Sequence, residues 1–178
     1  MKTSYKVALG GMIMALSVLC MTATNLFPIA SFALPAIAGC LIIPVNLELG
    51  KKWALCVYIG VALLSIFISS DHTAIISFIV LFGYYPILKG VIERIRKPII
   101  EWFLKMLVFN VAVGVGVLLT LVFFGLDVLI AEYSGFGKLG IIAFWAVCNV
   151  VFVVFDIALT RMITLIIYRF LPLFKRFK

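Results

Sequence analysis

Charge is scarce over long stretches of this chain, and that scarcity constrains the fold more than any motif. Residues 7–27, 53–68, 74–88, 102–126 and the run from 139 toward 173 are apolar almost throughout. A helix rises about 1.5 Å per residue and a bilayer core is about 30 Å thick, so roughly 20 apolar residues make one crossing. Hydrophobic residues make up 66% of the chain and charged residues 12%, against about a half and a quarter in soluble domains. Nothing is left over for a separate water-soluble unit. The expected fold is all-α and integral to the membrane, a single transmembrane domain over residues 1–178.

Six crossings are predicted, over residues 7–27, 34–48, 53–68, 74–88, 102–126 and 139–161, with an interfacial extension to 173. The second is short and carries Pro35 and Pro44, so a re-entrant loop competes with a true crossing. The charges decide between them. Residues 89–101, KGVIERIRKPIIE, read as a polar connector in which Lys89, Arg94, Arg96 and Lys97 outnumber Glu93 and Glu101. Short basic loops stay in the cytoplasm, and a re-entrant second segment would put this connector and Lys51–Lys52 outside. With six crossings both termini are cytoplasmic. Fourteen of the fifteen lysines and arginines then fall at inner ends, and Lys138 alone faces out with Asp71, Asp127 and Glu132.

The formal charge of +8 belongs to these short loops, so topology explains it and a nucleic-acid partner does not; anionic lipid is the natural attractant. The start of the chain has the lysines and apolar run of a secretory leader. It shows no small-residue cleavage pattern before Asn25 and is expected to stay as the first helix. Short basic loops and a retained first helix suggest a bacterial cell membrane. Cys20, Cys40, Cys56 and Cys148 lie in four separate apolar segments with no CxxC pair, which reads as small hydrophobic packing. With one histidine, His72, and no HExxH, GxSxG or phosphate-loop pattern, neither a catalytic site nor a metal or other cofactor is expected.

Polar residues within hydrocarbon are the remaining candidates. Asn110, Asn149 and Asp156 stand out, and the spacing of Asn149, Asp156 and Thr160 puts them on one helix face. Either they join helices in a hydrogen-bond network, with Asn110 or a snorkelling arginine as partner, or they floor a ligand cavity. His72 is a plain turn residue or a contact for a substrate arriving from outside. In the first helix, Gly11 and Ala15 stand four apart near Ala8 and Gly10. That small-xxx-small surface serves close packing, within the chain or against another membrane subunit.

Taken together, the length, the six crossings and the run Ala8-Leu9-Gly10-Gly11-Met12-Ile13-Met14-Ala15 resemble the substrate-binding S component of energy-coupling-factor vitamin transporters. In that family an alanine pair on the first helix docks to a transmembrane coupling subunit; here glycine replaces one of the two. The resemblance implies a substrate-capture subunit acting with separate coupling and ATPase subunits and binding no nucleotide itself. It also implies an outward pocket closed by the loop after the first helix, with Asn25, His72 and Asn149 as contacts for a small-molecule substrate. Two other readings stand beside it. One is a non-transporting structural or assembly subunit using the same small face, and the other is a proton-coupled carrier centred on Asp156.

Overall fold

A computed structural model describes residues 3–27, 30–95, 97–125 and 137–170. Among these residues the regular structure is entirely helical. The elements are α1 (Thr3–Ala23), α2 (Ala33–Leu41), α3 (Ile43–Leu49), α4 (Lys51–Ile68) and α5 (His72–Ser77), then a π-helical turn (Phe78–Phe82). They continue with α6 (Tyr85–Ile92), a 3₁₀ turn (Glu93–Ile95), α7 (Pro98–Phe124), α8 (Gly137–Leu165) and a closing π-helical stretch (Ile166–Phe170). Among the described residues, five helical stretches are long and apolar enough to cross a membrane: Thr3–Ala23, Lys51–Ile68, His72–Ile95, Pro98–Phe123 and Ala143–Tyr168. The chain is a multi-pass membrane protein. The outer loop expected over 127–138 lies mostly outside the described residues, as does the end of the interfacial extension, 171–173.

Ala33–Leu49 is the short apolar segment, and its two prolines account for its form. Pro44 has no amide hydrogen to give the Cys40 carbonyl, so the helix breaks at Ile42 and restarts as α3. At Gly50 the backbone takes φ 87°, a value that only glycine adopts without strain, and one residue suffices to turn the chain from α3 into α4. The segment runs through the middle of the protein, with Ala38, Ile42 and Val45 wholly buried. It lies against α1, α4, the first π turn and α6.

Pro86 breaks the stretch His72–Ile95 rather than merely bending it. The helix stops and restarts, with a π turn and Gly83–Tyr84 between α5 and α6. In the π register the Gly83 amide reaches back to the Phe78 carbonyl at 2.8 Å, and the Ile79 carbonyl instead accepts from Tyr58 Oη at 2.7 Å. Gly39 of α2 passes so close to the Phe82 carbonyl that a Cβ there would overlap it. Breaks in a membrane helix persist where neighbours fill them in this way.

Two cores share this broken crossing. The first joins α1 through α6, around Leu9, Ile13, Met21, Val57, Val61, Phe78 and Ile87. The second joins α2, α3 and the stretch His72–Ile95 to α7 and α8, around Ile43, Tyr85, Phe109, Phe152 and Leu159. Helices α7 and α8 otherwise carry exposed aliphatic and aromatic side chains, among them Leu118, Val122, Val150 and Val154, as lipid-facing surfaces do.

Candidate functional site

The apolar stretch that begins at His72 does not end where the polar connector was expected to begin. Apolar character returns after Lys89 with Val91 and Ile92, and α6 runs on to Ile92. The true gap before α7 is therefore short. Lys89 sits inside the protein with a relative exposure of 0%. Tyr85, Lys89 and Glu93 are four residues apart and line one side of α6 and the turn after it. Lys105, two turns into α7, and Asp156 on α8 face them.

These side chains close a ring of alternating charge. Asp156 Oδ1 accepts from Tyr85 Oη at 2.7 Å and from Lys89 Nζ, and its Oδ2 accepts from Lys105 Nζ at 2.9 Å. Glu93 Oε1 accepts from both ammonium groups, Lys89 at 3.1 Å and Lys105 at 3.0 Å. Lys89 spends its third donor on the Asp156 carbonyl at 3.0 Å. Lys105 has the Trp102 ring 5.5 Å away, a cation–π contact, and Thr160 Oγ1 also donates to the Asp156 carbonyl at 2.9 Å. Phe152 stacks on Phe109 at 4.4 Å and meets Tyr85 edge-on at 5.2 Å, an aromatic wall beside the charges.

Physical chemistry leaves little choice about this closure. An unpaired ion in a low-dielectric interior costs several kcal/mol, and only matched charge with good hydrogen bonding offsets it. Here two carboxylates face two ammonium groups, so the formal charge of the ring is zero. The face of Asn149, Asp156 and Thr160 is expected to meet Asn110 or an arginine; Asn110 does meet Asn149, but Asp156's partners are the two lysines and the tyrosine, and Arg161 is exposed. Sequence reasoning passed over Lys89, Lys105, Glu93 and Tyr85 as site residues. The signal was present: Lys105 stands in the apolar run Trp102-Phe103-Leu104-Lys105-Met106-Leu107, where a cation must snorkel or find an anion.

A second polar group joins α7 and α8 further from the connector. Asn110 Nδ2 donates to Asn149 Oδ1 at 3.1 Å, and Trp145 Nε1 donates to Asn110 Oδ1 at 2.9 Å. Each asparagine also donates to a carbonyl one turn back, Asn110 to Met106 and Asn149 to Trp145. Asn149 and Asp156 thus share a helix face but serve separate groups.

Near the other end of the bundle, Asn25 Oδ1 accepts from the Ser70 amide at 2.9 Å and Ser69 Oγ at 3.2 Å. This fastens the chain after α1 to the turn between α4 and α5. Asp71 caps α5 through the Ala74 amide at 3.1 Å, and His72 opens that helix, exposed. Asn25 and the turn before His72 come together; Asn149 hydrogen-bonds with neither, its partners lying on α7 and α8.

Gly11 and Ala15 were expected to pack within the chain or to dock a partner, and among the described residues they lie outside the buried face of α1. Both are exposed, and a Cβ added at Gly11 would meet nothing within 4 Å. The inward face of α1 is instead Leu9, Gly10, Ile13, Ser17 and Met21, with Ser17 Oγ donating to the Ala38 carbonyl at 3.2 Å. Among the described residues no cluster of histidine, cysteine and carboxylate side chains could hold a metal, and the four cysteines are free. Comparison with protein-family models, curated proteins and solved structures finds no match for this chain.

Proposed function

We propose that this protein is the substrate-capture subunit of an ATP-driven micronutrient uptake transporter in a bacterial cell membrane. It crosses the bilayer six times, with its basic connector and both termini in the cytoplasm. Separate coupling and ATPase subunits supply the energy. The observation that carries this reading is the division of α1 into two faces. One is consumed by the chain's own core, and the other presents Gly11 and Ala15 uncovered. A small-residue face lets a foreign helix approach closely and gains stability from the contact. The link between Asn25 and the 69–71 turn supports a loop poised at the outer end, beside His72.

Gly11→Leu and Ala15→Leu test the docking face. Each is expected to abolish co-purification with the coupling subunit while the isolated chain keeps any small molecule it binds; partner retention by both variants would overturn the assignment. The assembly-subunit reading has an observation of its own. Asn110 and Asn149 are hydrogen-bonded to each other and to Trp145, which leaves less of their bonding capacity for a ligand. Purification from the native membrane, with mass spectrometry of retained small molecules, separates the two: a bound vitamin-like compound supports capture, and partner proteins without one support assembly. The carrier reading loses support, because both oxygens of Asp156 are held by cations.

A further inference from the structure

The two carboxylates of the ring face the same two ammonium groups, and the protein holds them differently. Asp156 commits both oxygens to three donors, stands on a long helix and has a side chain only 3% exposed. Glu93 commits Oε1 alone, its side chain is 36% exposed, and it stands on a single 3₁₀ turn between α6 and α7. Short exposed turns open locally far more easily than packed helices. When Glu93 swings out, two ammonium groups share one carboxylate, and a net charge of +1 is left beside the opening. Arg94 and Lys97, both exposed on the connector, raise the local concentration of anions there.

We infer that Lys89 and Lys105 form a carboxylate-binding site, which Glu93 fills as a tethered, exchangeable ligand. A singly charged carboxylate is the class that fits. One of its oxygens replaces Glu93 Oε1 between the two ammonium groups and restores neutrality, which a neutral amide cannot do. The carboxylate comes from a small free acid or from an acidic side chain of another chain. This inference is independent of whether α1 docks a partner.

The test is chemical rescue of Glu93→Ala, purified in detergent and followed by thermal unfolding. The variant is expected to lose about 5 °C in Tm. Sodium acetate should recover more than half of that loss, and chloride at equal ionic strength or acetamide should recover none. Wild type, already filled by Glu93, should respond to acetate no more than to chloride. N-acetylglutamate amide tests the source: rescue by it points to an acidic side chain, and rescue by acetate alone points to a small acid. Glu93→Gln fills the space with an amide, so acetate should leave it unmoved. Equal recovery of Glu93→Ala in chloride, no recovery in acetate, or equal acetate rescue of Glu93→Gln overturns the inference. If Glu93→Ala cannot be purified in chloride, purification in acetate decides: recovery there supports the site, and failure in both overturns it.

Discussion

Among the described residues, polar side chains join helices α7 and α8 at two places, and the two joints are made of opposite chemistry. Beside the connector the joint is ionic: Lys105 and Asp156 meet within the ring that Lys89, Glu93 and Tyr85 complete. Further along it is neutral, with Asn110, Asn149 and Trp145 sharing hydrogen bonds and Trp145 exposed. The ionic joint recruits a third crossing and sits behind an aromatic wall, whereas the amide joint rests on two helices and lies near the surface. The cost of leaving each group unpaired explains the contrast. A stray amide in hydrocarbon loses a hydrogen bond, but a stray charge loses its whole solvation shell, so charges are tolerated only in a closed, balanced set.

The largest expected effect breaks the ionic joint. Asp156→Asn leaves two ammonium groups facing one carboxylate and should cost about 3–5 kcal/mol in unfolding free energy, as for other buried pairs that lose one partner. Denaturant unfolding in detergent measures it. Adding Lys105→Met removes one cation along with the anion and should return roughly half of the loss. A double variant as unstable as the sum of its parts would show that charge balance is not what holds this joint.

Tyr85→Phe sharpens the same point at smaller scale. It keeps the aromatic packing on Phe152 and removes one of the three donors to Asp156, for an expected cost of about 1.5–3 kcal/mol as a hydrogen bond to a charged group. A loss as large as that of Asp156→Asn would make the tyrosine, not the lysines, the main support of the carboxylate. The smallest effect belongs to the amide joint. Asn149→Leu should cost about 0.6–1.7 kcal/mol, from the average to the maximum measured for hydrogen bonds between membrane helices. Should it equal the Asp156→Asn loss in the same unfolding assay, the contrast between the joints would fail.

How much of this was legible beforehand differs between the joints. The amide joint was half visible, since Asn110 and Asn149 are conspicuous in apolar runs and an interhelical bond between them was among the readings. Trp145 was not visible as a member, because its apolar ring fits a lipid-facing helix equally well. The ionic joint was visible only as Asp156. Lys89 opens a stretch rich in charge, so it read as the start of a cytoplasmic loop, and Lys105 read as one more inner-end cation. The small face of α1 was legible as Gly11 and Ala15. Which of its neighbouring glycines turns inward was not, because Gly10 and Gly11 differ by about 100° of rotation around the helix.

The sequence by itself determined that this is a helical, multi-pass membrane protein. The length and apolarity of its segments leave the backbone no other way to satisfy its hydrogen bonds in hydrocarbon. Pro44 and Pro86 lack the amide hydrogen that a continuous helix needs, but whether they would bend or break their segments was not legible from the sequence. Only the tertiary structure decided which charges are inside. The burial of Lys89 and Lys105 depends on Asp156, 67 and 51 residues away in the chain. An ion's place is set by its partners, and those partners meet only when the helices pack.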